Sequence, residues 1–201
     1  MAEYYILNKP KGCITARRDE HHKTVMDYFP EELKKEVFPI GRLDRDTVGL
    51  LLITNDGKLA YKLMRPENKV KKTYFLWAKG VITDDDVKKL ENGVFILDKK
   101  NTFTSPAKVE LLDVAKLREI AGLLVGKDCK LNNRHGDEPV FSMKLTITEG
   151  KKHQVKRMIA AVGSKVLFLK RISIGGVELD EDLPYGEFRP LTEEEISILE
   201  I

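Results

Sequence analysis

Residues 48–54, Val-Gly-Leu-Leu-Leu-Ile-Thr, form a short apolar run that stops at Asn55-Asp56-Gly57. A run this short and continuous, closed by a strong turn signal, suits a strand buried on both faces. A chain built around such a strand must cover it on two sides, and whatever precedes the strand is held in place by it. Here the preceding segment is Gly41-Arg42-Leu43-Asp44-Arg45-Asp46, an exposed-looking loop that begins at Pro39.

The remaining pattern predicts strands over 4–7, 71–79, 107–112, 140–148 and 165–174. Asn8 to Gly12 reads as a turn, because Pro10 fixes φ and Gly12 permits positive φ. Helical pieces are predicted over 24–29, 31–36, 58–64, 114–125 and 152–162, with 126–139 as a loop. A further helix starts at Thr83, with Asp84, Asp85 and Asp86 in its first turn and Gly93 beyond its end. Strands and helices mix without a regular βαβ rhythm. The expected class is therefore α+β, with a largely antiparallel mixed sheet and flanking helices. At 201 residues this is one domain over 1–201, built as two lobes sharing one sheet.

Charge is unevenly spread. Lys58 to Gly80 carries seven Lys or Arg against one acid, Lys144 to Arg171 eight against one, and Glu178 to Ile201 nine acids against one Arg. Two basic stretches and an acidic tail suit a molecule that grips a polyanion on one side, though solvated faces have the same look. No apolar run reaches the roughly 18 residues of a membrane helix, and the start lacks a signal-peptide layout, which predicts a cytoplasmic protein. Cys13 and Cys129 lack zinc spacing and read as reduced thiols, and the adjacent His21 and His22 do not suit a metal site.

Asp44 stands out chemically. A carboxylate just ahead of a core strand is rigidly placed and partly dehydrated, and Arg42 and Arg45 can keep it ionised. Such a carboxylate is a usable nucleophile. Two other readings fit the same residues: Asp44 and Asp46 bond the loop backbone, or they contribute to a divalent-cation site.

Gly41-Arg42-Leu43-Asp44 through Gly57 resembles the active-site motif of the RsuA class of pseudouridine synthases. Further blocks follow in the order of that family: Leu-Asn-Lys-Pro-Lys-Gly at 7–12, Lys-Thr-Tyr at 72–74, Glu-Gly-Lys-Lys-His-Gln-Val-Lys-Arg-Met-Ile-Ala-Ala-Val-Gly at 149–163, and Gly-Glu-Phe-Arg-Pro-Leu-Thr-Glu-Glu-Glu-Ile at 186–196. The resemblance covers most of the chain and implies a pseudouridine synthase catalytic fold with an active-site cleft. It makes Asp44 the essential catalytic residue. Many relatives carry an N-terminal S4 RNA-binding module, whereas this chain opens directly on the catalytic blocks. Residues 114–139 look like an insertion.

In the helix predicted over 152–162, Val155, Met158, Ile159 and Val162 form the core-facing stripe. His153 and Arg157 then point away from the core, and Lys156 lies on the shoulder, where a cation can reach a half-buried carboxylate. The family pattern likewise pairs the basic residue at Lys156 with Asp44. Arg157 is assigned to RNA phosphates, or to plain solvent exposure. His153 and Gln154 either cap the helix start or touch RNA. Tyr74 is a core aromatic by its setting alone, and the resemblance implies that it packs on the target uracil. Arg42 is expected beside the flipped nucleotide, and Lys9, Lys11 and Lys72 at phosphates.

The implied function is isomerisation of a uridine in ribosomal RNA, with the small-subunit 16S RNA as the expected target and 23S RNA as the alternative. The partner is ribosomal RNA or an assembly intermediate, and the protein acts as a monomer. No atom is gained in the reaction, so no metal, redox cofactor or ATP is implied. Two rivals from other classes are a non-catalytic RNA-binding assembly factor and a metal-dependent phosphodiesterase using Asp44 and Asp46.

Overall fold

The structure is a computed structural model that describes residues 2–97, 102–124 and 136–199. Along the chain its strands are β1 (Tyr4–Lys9), β2 (Phe38–Pro39), β3 (Val48–Thr54), β4 (Lys72–Lys79), β5 (Phe95–Ile96), β6 (Thr102–Phe103), β7 (Lys108–Lys116), β8 (Pro139–Ile147), β9 (Lys165–Ile174), β10 (Val177–Glu178) and β11 (Phe188–Pro190). The helices are α1 (Glu31–Glu36), α2 (Gly57–Met64), α3 (Asp84–Asn92), α4 (Gln154–Ala161) and α5 (Glu193–Leu199). The class is α+β, with a mixed, mostly antiparallel sheet and flanking helices.

The chain divides into two compact units. The first comprises 1–72 and 170–201, the second 73–169. In the first, the strand order is β11-β1-β3-β9, with β2 paired to β3 and β10 to β9. Among its described strands the contact of β3 with β9 is parallel: Val48 lies opposite Lys170, and Gly49 opposite Arg171. All seven residues of β3 are buried. One face of the strand contributes Leu50 and Leu52 to a core with Ile6, Ile40, Leu59, Leu63 and Ile174. Asp56 starts α2 by accepting the N–H groups of Lys58 and Leu59, the role its turn position suggests.

In the second unit, β9 leads to β4, β8 and the edge strand β7. A capping box of Thr83 and Asp86 starts α3, and Gly93 ends it with φ +98°. Phe75 and Trp77, two residues apart on β4, fall on one face. They pack with Leu117, Ile120, Leu124 and Val140.

The helix expected over 114–125 is not formed. Strand β7 continues to Lys116, with Val114 and Ala115 opposite Phe141 and Val140. Two short 3-10 turns follow, at Leu117–Glu119 and Ala121–Leu123. Leu117, Ile120 and Leu124 have helical spacing, but these turns already present them to Trp77, and the pull of the edge ladder claims the residues before them. The expected loop and insertion fall partly on 125–135, outside the described residues, as does Cys129.

At the other end, Arg189 bonds both carboxylate oxygens of Asp180 and of Glu195. The acidic tail is thus built partly into structure.

Candidate active site

Asp44 sits in the first unit, in a loop tied down on several sides. Thr15 grips Leu43 at both backbone groups: its Oγ1 donates to the carbonyl at 2.9 Å and accepts the N–H at 3.1 Å. Gly12 and Arg45 clasp each other, the Gly12 N–H reaching the Arg45 carbonyl at 2.8 Å and Arg45 Nε reaching the Gly12 carbonyl at 2.9 Å. The Thr47 N–H donates to the Asp44 carbonyl at 3.1 Å, which closes the turn into β3. Arg42 and Arg45 are exposed, and Asp44 is half-buried.

Beneath this loop lies Lys9. Its side chain is 0% exposed. Its Nζ donates to the carbonyls of Pro10 and Thr47, both at 3.0 Å, and reaches toward that of Arg45 at 3.5 Å. Burial pushes the Lys9 pKa down, while the fields of Cys13, Asp46 and Asp44 support its charged form. Lys9 is therefore a structural cation and not the phosphate contact expected of it. The reason is register. Strand β1 runs on through Asn8 and Lys9, where a turn was expected, and places Lys9 opposite Gly49.

Gly49 also stands opposite Arg171, so Lys9, Gly49 and Arg171 form one row across β1, β3 and β9 and share a face. Arg171 is 3% exposed and its Nε donates to the Leu50 carbonyl at 2.8 Å. Lys72, 8% exposed, donates to the Val70 carbonyl at 2.9 Å. Burial, and then the charge of Arg171, hold its pKa down. Lys72 too is misplaced as an open phosphate contact. Sequence reasoning missed Thr15 and Arg171. The signal that could have found Arg171 was Gly49, because a glycine inside a strand marks a close backbone approach.

The second unit carries Tyr74, Lys156, Arg157, His153 and Gln154. Tyr74 on β4 is 9% exposed. Three residues of the expected stripe of α4, Val155, Met158 and Ile159, are buried, while Val162 falls at the C-cap and is half-buried. Lys156 and Arg157 are both half-buried, and His153 is exposed with φ +53°. Neither expected role of Gln154 is what its bonds show: α4 has no side-chain cap, and Gln154 instead ties the segment before the helix to Glu149. Gln154 is 3% exposed; its Oε1 accepts the Lys151 N–H at 2.8 Å and its Nε2 donates to Glu149 at 2.6 Å. Glu149 also bonds the Lys151 ammonium and the Ser105 N–H. Burial opposes the Glu149 charge, but the bonds from Lys151, Ser105 and Gln154 together outweigh it and lower the pKa.

A depressed carboxylate stabilises the fold above its unfolded pKa, and that contribution is lost as pH falls through the folded value. Glu149→Gln should therefore cost about 1–2 kcal/mol at neutral pH. The gap in melting temperature from the parent should close below about pH 4. Thermal melts across pH 3–8 check this, and a gap that widens in acid contradicts it. Among the described residues, no group of three or more His, Cys, Asp or Glu is placed to hold a metal ion. No helix among them is long and apolar enough to cross a membrane.

Comparison with known proteins gives this arrangement a family. Residues 3–161 match the RNA pseudouridylate synthase family. The RNA pseudouridine synthase YtzG of Bacillus subtilis is 44% identical over 197 residues, covering 98% of this chain and 72% of that protein. Ribosomal small subunit pseudouridine synthase A of Escherichia coli K12 is 37% identical over 194 residues, covering 96% and 72%. A crystal structure of a pseudouridylate synthase superposes with a TM-score of 0.81 at 36% identity, covering 99% of this chain and 74% of that one. The chain belongs to the RNA pseudouridine synthases, isomerases that convert uridine in RNA to pseudouridine.

Proposed function

We propose that this enzyme isomerises a uridine of small-subunit ribosomal RNA with Asp44 as its working carboxylate. The observation that carries the reading is the mooring of the Asp44 loop, held by Thr15, Gly12 and the enclosed ammonium of Lys9. A carboxylate fixed this way needs little reorganisation when it meets its substrate. The small-subunit target rests on the likeness to synthase A of E. coli.

In the reaction the N1–C1′ bond breaks, the uracil turns, and C5 bonds to C1′. The proton on C5 is lost and N1 gains one. Asp44 acts either at C1′, as a nucleophile, or at the C2′ proton, which leads through a glycal. The family motifs assign Tyr74 to the target base and Lys156 as the partner of the carboxylate, and Arg42, in the loop of Asp44, to the flipped nucleotide. Lys11, Arg157 and His153 face the RNA backbone. The nucleotide must leave its stack first, at a cost of a few kcal/mol that is least in unpaired RNA.

Tritium release from C5-labelled uridine in 16S RNA or a small-subunit assembly intermediate tests the proposal. Release should continue in EDTA, and pseudouridine mapping in cells lacking the protein should show a missing site in that RNA. A lost site in 23S RNA alone would overturn the target, and abolition by EDTA would favour metal-dependent chemistry.

A further inference from the structure

The segment that Thr15 ties to the Asp44 loop leads straight into Arg17 and Arg18, both exposed. With Lys34 of α1, these residues line a cleft of about 540 Å³. We propose that this cleft is a second RNA-backbone site of the first unit, taking phosphates that flank the uridine bound at Asp44. The inference rests on the proposed function for its ligand, and on the geometry of the first unit for its place.

Arg17 is pre-set for such a contact. Its Nη2 donates to the Lys35 carbonyl at 2.8 Å, which spreads the guanidinium across the end of α1 and leaves its other N–H groups for a ligand. Arg18 makes no hydrogen bond or ion pair among the described residues, so its fork of donors is available. Guanidinium forks match phosphate oxygens two at a time, and an exposed cation gains most of its binding energy by releasing counterions from the nucleic acid.

The acids nearby are already engaged. Asp19 accepts the N–H groups of His21 and His22. Asp27 accepts from the N–H and hydroxyl of Thr24. Glu31 pairs with Lys34. Glu20, with Asp19, Asp27 and Glu31, lines an adjoining cleft that shares Arg17, Arg18 and Lys34, and none of the four acids lines this one.

Distance along the chain favours RNA over an acidic peptide as the occupant. Arg17 and Arg18 lie two and three residues beyond Thr15, which bonds the residue before Asp44. At ~3.5 Å per residue that is a reach of about 10 Å, the scale of a neighbouring phosphate on the strand that delivers the target.

The test is binding of a fluorescent single-stranded ribosomal RNA fragment to the full chain across a salt series. Each phosphate contact on single-stranded RNA contributes ~0.7 to the slope of log K against log salt. R17Q/R18Q should lower that slope by about 1.4 and weaken binding about tenfold near 0.15 M salt. Tritium release at saturating RNA should stay within about twofold of the parent. R18Q alone leaves the Arg17–Lys35 bond intact and should lower the slope by about 0.7, which separates a lost contact from a disturbed loop.

Unchanged slopes in both variants overturn the site. So does a variant that loses binding to a poly-glutamate peptide while keeping its RNA affinity. If the parent binds RNA with the expected slopes yet releases no tritium, the catalytic proposal fails and the surface stands.

Discussion

Asp44→Asn should bind RNA with an affinity within about threefold of the parent and yet release tritium ~10³- to 10⁴-fold more slowly. The asparagine is nearly the same size and can keep the turn, since the bond that closes it runs from the Thr47 N–H to the Asp44 backbone carbonyl. It removes only the negative charge and the ability to attack C1′ or take the C2′ proton. RNA affinity comes mostly from cations on phosphates and is left in place. Asp46→Asn is the matched control and should keep activity within about tenfold, because a metal site would need both carboxylates and the isomerisation needs one. Single-turnover tritium release alongside filter binding reads both quantities. Turnover by the Asp44 variant close to that of the parent would remove Asp44 from the chemistry and return it to a role in the turn.

Gly49→Ala should cost about 3–5 kcal/mol of stability, a large part of what a natural domain has. Gly49 has φ +99°, and a Cβ there would lie 2.3 Å from the Arg171 carbonyl oxygen and 2.9 Å from its N. Both atoms are backbone, so no rotamer change relieves the clash. Strands β3 and β9 must separate where their parallel contact lies, and the row formed with Lys9 opens with them. For a chain of this length the melting temperature should fall by roughly 10 °C or more. Gly57→Ala provides the contrast: nothing lies within 4 Å of its Cβ position, and the change should stay within about 0.5 kcal/mol. Equal melting temperatures for Gly49→Ala and the parent would mean that the strands are not packed as described.

Much of this fold was legible because its signals are local. The apolar run of 48–54 closed by Asn-Asp-Gly became β3, and Thr83 with its three acids became a capped helix. The stripe of Val155, Met158 and Ile159 faces the core of the second unit. The misses have a shared cause: they depend on partners far away in sequence. Lys9 and Lys72 carry the same charge as surface lysines, and only their placement in the sheet shows that they are enclosed. Gln154 was expected at the cap or at RNA, and its partners are instead Glu149 and the Lys151 N–H. The segment after 114 had helical spacing in its apolar residues, while the ladder to β8 that claims its start is invisible in any short window. For the site, Asp44 was marked by the family motif, whereas Thr15 and Arg171, which brace its surroundings, belong to no motif singled out beforehand.

The ammonium under the loop has a consequence for encounter with substrate. A segment whose carbonyls converge on one enclosed charge cannot swing outward without stripping that charge of its ligands. The protein's side of the meeting is therefore stiff, and the rearrangement falls to the polynucleotide. Uridines already unstacked are then expected to react before stacked ones, because presenting them costs less.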